Sequence, residues 1–148
     1  MKDYKITEAK ILLVEDNIAD IRIMKEILQD YEVVNNLYIV RDGVEAIDFL
    51  RKKGKFSDVN TPNLILLDLN LPKKNGFEVL EEIKQDPDLK RIPVVILTVS
   101  GAKEDLRKAY NLHANCYVIK PLEMKEFYKV VESIVNFWFS IVKHSEDE

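Results

Sequence analysis

The chain has 148 residues, the span of one ordinary domain, with 47% apolar and 32% charged residues, enough of the first for a core and of the second for a hydrated surface. A formal charge of −4 argues against general polyanion binding, and a single cysteine, Cys116, excludes an internal disulfide framework or a cysteine-based zinc site. The opening segment MKDYKITEAK lacks the apolar stretch of a secretory signal, and no apolar run reaches the roughly 20 residues that a membrane helix needs. The expectation is therefore one cytoplasmic domain over 1–148, with 1–8 and 144–148 flexible.

In chain order, five segments read as strands: KILLVE, VVNNLYIV, NLILLD, PVVILTV and NCYVIK. The third and fourth are nearly continuous apolar runs, as strands covered on both faces should be. An amphipathic helical stretch follows each strand. The first begins at Asn17 or Ile18, the second near Gly43, the third at Gly76, the fourth at Lys103 and the fifth at Glu123. Pro87 and Pro93 bracket the end of the third helix. The longest connection, Lys53 to Asn63, reads as an exposed loop. Strand and helix alternating five times predict an α/β fold, a doubly wound parallel sheet with helices on both faces.

In an open parallel sheet, function collects at the carboxyl ends of the strands. The first strand ends in Glu15 and Asp16, the third in Asp68, the fourth in Thr98, and the fifth in Lys120 and Pro121. With strand order 2-1-3-4-5, three carboxylates, a hydroxyl and an amine converge on one edge. Taken singly, a strand-end aspartate is commonly a helix N-cap, and Asp16 could be only that. Taken together, three carboxylates near one point repel each other unless positive charge is present. A hard divalent cation with oxygen ligands is the natural counter-charge, and Mg²⁺ suits carboxylates and waters.

The set VEDN at 14–17, DLNLPKKNG at 68–76, Thr98 and Lys120-Pro121 resembles the receiver domain of two-component response regulators, flavodoxin-like in fold. The segments DLNLPKKNGFEVLEEIK, YNLHANCYVIKP and IVNFWFSIV further resemble the stand-alone regulators that serve phytochrome-type and PAS-containing histidine kinases. The resemblance implies that Asp68 accepts a phosphoryl group from a kinase phosphohistidine. It implies that Asp16 and Asp68 bind Mg²⁺ directly, Glu15 through water and Asn70 through its main-chain carbonyl. It gives Lys120 to Asp68 before reaction and to the phosphoryl oxygens afterwards, with a cis peptide before Pro121. It makes Thr98 and Tyr117 a coupled switch, the hydroxyl moving inward and the ring following. Without the resemblance, Tyr117 reads as a half-exposed strand aromatic. Val99 departs from the pattern, being larger than the residue the family often places there, and it would crowd the phosphoryl pocket.

His113 and His144 lack companion ligands, Cys116 packs in or beside the fifth strand, and the four glycines form no phosphate-cradling loop. No basic stripe supports direct DNA binding. Two rival functions stay open. One is a Mg²⁺-dependent phosphatase with an aspartyl-phosphate, although that chemistry usually places a second aspartate where Asn70 stands. The other is a binding module that works without phosphorylation. The last helix carries more apolar residues than one buried stripe requires. The stripe is Phe127, Val131, Ile134, Trp138 and Ile141, flanked by Val130, Val135, Phe137, Phe139 and Val142. That surplus predicts a symmetric homodimer through the fourth helix, fifth strand and fifth helix, unless the 53–63 loop or the N-terminal segment covers it.

Overall fold

The computed structural model describes residues 9–29 and 34–138. Five strands alternate with helices: β1 (Ala9–Val14), α1 (Ile18–Gln29), β2 (Val34–Val40), α2 (Gly43–Leu50), β3 (Leu64–Leu67), α3 (Gly76–Gln85), β4 (Val94–Thr98), α4 (Lys103–Asn111), β5 (Cys116–Ile119) and α5 (Met124–Asn136). The strands form one parallel sheet in the order β2-β1-β3-β4-β5. This is the doubly wound α/β arrangement that the alternation of periods predicts.

The period-two geometry of a strand explains the two layers. On β3, Ile65 and Leu67 face one core with Ala46, Phe49 and Leu50 of α2 and Val79, Leu80 and Ile83 of α3. Leu64 and Leu66 face the other, with Met24, Ile27 and Leu28 of α1 and Phe127, Val131, Ile134 and Val135 of α5. All four β3 residues are fully buried, so this short strand is the floor of both cores.

Three expectations need correction. The 53–63 connection is not simply an exposed loop. It carries a short 3₁₀ turn at Gly54–Phe56, and the Phe56 ring packs on Phe49 at 5.2 Å, while Tyr38 packs on Phe49 at 5.0 Å. An aromatic that can reach apolar surface leaves water. The loop thereby lies on the α2 side of the sheet and does not cover α5. On α5, Val135 is core rather than flank, because residues one turn apart at Val131, Ile134 and Val135 all reach the sheet. Of the remaining described flank residues, Val130 is half-buried and Phe137 is exposed, edge-on to Trp138. Phe139, Ile141, Val142 and His144 lie outside the described residues, as do both termini expected to be flexible. Finally, no peptide bond among the described residues is cis. The bond before Pro121 is trans, the isomer that X–Pro pairs favour by about 0.5–1 kcal/mol.

Candidate functional site

The β3–α3 corner explains why an apolar strand runs into an aspartate, a proline and a glycine. Asp68 leaves β3 with its N–H bonded to Val14 O of β1 at 3.1 Å, so the backbone that carries it is pinned to the centre of the sheet. The chain then turns through Pro72 and Lys73, the latter at φ 68°. Asn75 caps α3 in a reciprocal capping box with Glu78. Gly76 starts the helix directly against the aspartate. A Cβ there would lie 2.4 Å from Asp68 O and 2.5 Å from Leu69 Cα, so only glycine permits this closeness.

Lys120 reaches the same point from the end of β5. Its main-chain N–H donates to Thr98 O at 2.7 Å, which sets the side chain's origin. Its Nζ donates to Glu15 Oε1 at 2.7 Å, Asp20 Oδ2 at 2.8 Å and Asp68 Oδ2 at 3.0 Å. An ammonium has three protons, and all three are engaged. Glu15, Asp68, Thr98 and Lys120 are the buried polar residues of the described chain, and they sit together at one sheet edge. Thr98 Oγ1 is buried there without a hydrogen-bond partner among the described residues. A donor left so is costly unless something completes it.

The electrostatics follow from burial and from the single lysine. Burial raises the Asp68 carboxyl, but the Lys120 charge and the Asn70 N–H, which donates to Asp68 Oδ1 at 3.1 Å, outweigh it and hold the group below its usual range. Glu15 is pushed up to about 7, by burial first, against the bond from Lys120 and helped by the neighbouring Asp68 charge. For Lys120, burial works against the charge, yet Asp20 and Glu15 prevail and the ammonium is held above its ordinary value. Asp68 is thus kept as a carboxylate, the form that has a nucleophilic lone pair.

The other expected residues stand further out. Asp16 is half-exposed and pairs with Arg41 at the end of β2, whose guanidinium lies 3.5 Å from Asp16 Oδ1 and also donates to its carbonyl at 3.2 Å. Asp16 is not the α1 cap. Asn17 takes that place, accepting from Asp20 N at 3.0 Å. Asn70 is exposed beside Asp68. Among the described residues no three acids, histidines or cysteines stand as a ready metal cage; Glu15, Asp20 and Asp68 close on Lys120, and Asp16 pairs with Arg41. Tyr117 is half-buried, and its hydroxyl donates to Ser100 O at 2.9 Å, just beyond Thr98. Ser100 in turn donates to Asp105 of α4. Val99, next in the chain after Thr98, is 60% exposed.

Sequence reasoning missed Asp20 and Arg41. Asp20 had a usable signal, since the first turn of a helix that follows a strand returns over that strand's carboxyl end. Arg41 had a comparable one, since it directly follows the strand that neighbours β1.

This geometry has close relatives. The profile of the response regulator receiver domain matches residues 11–132. Response regulator Rcp1 of Synechocystis sp. is 49% identical over 142 residues, covering 96% of this chain and 97% of that protein. Among solved structures, the phosphorylated cyanobacterial phytochrome response regulator RcpA superposes with a TM-score of 0.90 at 48% identity, over 92% of this chain and 97% of that one. The Mn²⁺-bound form of Rcp1 gives a TM-score of 0.88 at 50% identity, over 91% and 97%. Among the described residues no helix is long and apolar enough to cross a membrane. From its strand-end acids to the family match over residues 11–132, this chain belongs to the response regulator receiver domain family.

Proposed function

We propose that the chain is a stand-alone, cytoplasmic phosphoacceptor switch, a single receiver domain that takes a phosphoryl group on Asp68 from a sensor histidine kinase. The observation that carries this reading is the buried Asp68–Lys120 pair at 3.0 Å beside the unpartnered Thr98 hydroxyl. A carboxylate oxygen of Asp68 attacks the phosphorus of a phosphohistidine. An O–P bond forms, the N–P bond breaks, and the departing imidazole keeps the electron pair. Lys120 then turns its proton from Asp68 Oδ2 to a phosphoryl oxygen, and Thr98 Oγ1 donates to another. Both act on charge that the incoming group brings, which is the main demand of phosphoryl transfer. The chain also aids its own dephosphorylation, in which water attacks the phosphorus and releases inorganic phosphate.

The donor set fits Mg²⁺: hard carboxylate oxygens of Asp16 and Asp68, the Asn70 carbonyl, and Glu15 through water. The relative bound to Mn²⁺ supports a divalent ion here. When bound, the ion neutralises developing charge on the phosphoryl oxygens.

Signal leaves through Tyr117. When Thr98 turns toward the phosphoryl group, the ring follows and its bond to Ser100 O breaks, a two-state change biased by local charge. The output surface lies on α4, β5 and α5, where Leu106, Tyr110, Ile119, Tyr128 and Phe137 are exposed. That patch serves a homodimer and an unidentified downstream protein, without direct contact to nucleic acid or membrane. The test is transfer from a phosphorylated histidine kinase to this chain in Mg²⁺ and in chelator. The reading expects transfer only with Mg²⁺, and its loss in Asp16→Asn. Metal-independent transfer at the wild-type rate would overturn the metal assignment, and no transfer from any phosphohistidine donor would overturn the function.

A further inference from the structure

The Lys120 ammonium serves three carboxylates, and only two of them belong to the expected set. The third, Asp20, comes from the first turn of α1 and approaches Nζ at 2.8 Å, closer than Asp68 at 3.0 Å. Its carboxylate is 20% exposed, against 4% for the lysine side chain. The bond is therefore formed in a largely desolvated place, where a charge-assisted contact is strong. Asp20 is fixed by its own backbone as well, because its N–H is held by Asn17 at the helix start. The carboxylate cannot drift away with a frayed terminus.

Consider what happens to this arrangement when Asp68 is phosphorylated. The reacting group gains negative charge and needs the ammonium more. Glu15 and Asp20 still claim two of its three protons, and Asp20 adds a negative charge that the phosphoryl group feels. From these distances we propose that Asp20 is a positioning residue that acts through Lys120 as a brake: it competes with the phosphoryl group for the lysine and shortens the life of the phosphorylated state. The inference rests on the reading of Asp68 as the phosphoacceptor.

Removing the charge releases the lysine. Asp20→Asn keeps the shape and an acceptor oxygen, and loss of one competing charge-assisted bond corresponds to roughly a tenfold change in affinity for a phosphoryl group. The probe is fluoroberyllate with saturating Mg²⁺, an anion that mimics the phosphoryl group on a carboxylate. Its affinity is measured by calorimetry in wild type, Asp20→Asn, Asp20→Ser and Asp20→Glu, with each fold checked by circular dichroism. The half-life of the aspartyl-phosphate after donor removal is measured alongside. We expect roughly tenfold tighter binding and a correspondingly longer half-life in Asp20→Asn and Asp20→Ser, and wild-type behaviour in Asp20→Glu, which keeps the charge. A merely structural role would loosen Lys120 and weaken binding in the same variants. Unchanged or weaker binding in Asp20→Asn, or in Asp20→Ser where the first does not fold, overturns the brake while leaving Asp68 in its role. A wild type that binds no fluoroberyllate overturns the Asp68 reading, and the brake with it.

Discussion

Gly76→Ala isolates the packing that holds the phosphoacceptor in place. A Cβ at Gly76 would meet Asp68 O at 2.4 Å and Leu69 Cα at 2.5 Å, where ordinary contact begins at 3.4 Å. Both neighbours are backbone, so no side chain can swing aside, and α3 must move from the β3 end by about 1 Å. Alanine improves helix propensity by at most about 1 kcal/mol. Overpacking against a rigid backbone costs about 1–3 kcal/mol, so we expect a net loss of about 1–2 kcal/mol. A shift of about 1 Å in a reacting carboxylate can lower a rate by up to about 10²-fold, so labelling should fall more than stability would suggest. Gly101→Ala is the control, because its nearest added contact is Ile119 Cδ1 at 3.6 Å. The assays are urea denaturation and initial rates of labelling by a small phosphodonor with Mg²⁺. A Gly76→Ala protein as stable as the control and labelled at the wild-type rate would refute the reasoning.

The remaining predictions concern access, a half-buried lysine and association. Val99 follows Thr98 and is exposed, and Val99→Ala should label faster with acetyl phosphate; equal or slower labelling removes the crowding argument. Lys84 donates to Lys90 O, Ile92 O and Asn115 Oδ1, and Lys84→Met should lose about 0.5–1.5 kcal/mol at pH 7 by removing those bonds, as urea melts would show. Burial lowers the Lys84 pKa from 10.5. Between that lowered value and 10.5 the unfolded chain binds more protons, so wild-type stability should rise with pH relative to Lys84→Met; a fall in that window contradicts the assignment. Light scattering at tens of micromolar, roughly where a weak regulatory dimer forms, should detect a dimer that Phe137→Ala with Ile119→Glu abolishes. A wild type that stays monomeric with and without fluoroberyllate refutes it.

The sheet covered on both faces and the helix starts, to within a residue, were legible because each has a local cause, whereas the strand order entered only as a supposition and is supplied by the structure. Leu64 to Leu67 form a run too apolar for one covered face, and Asn75 with Glu78 writes the start of α3 into the sequence. The convergence of Glu15, Asp68, Thr98 and Lys120 was legible because a parallel sheet brings every strand's carboxyl end to one edge. Asp20 was harder to see, because which side of a helix meets Lys120 depends on how α1 crosses the sheet. The pairing of Asp16 with Arg41 was hidden for a similar reason, since it joins side chains from adjacent strand ends. The 53–63 loop and Val135 were misread because only tertiary packing decides whether an aromatic in a polar loop is partly covered, or a residue at the border of a stripe is buried. The roles of Asn70 and Tyr117 came from resemblance rather than from the residues themselves.

The central claim is that Asp68 carries the phosphoryl group. Borohydride reduces an acyl phosphate to an alcohol, so a phosphorylated aspartate becomes homoserine and can be located by peptide mass spectrometry. After incubation with phosphodonor and Mg²⁺, the account predicts homoserine at position 68 of the wild type and none in Asp68→Asn. Homoserine at Asp16 or Asp20, or a wild-type yield of labile phosphate in Asp68→Asn, would contradict it.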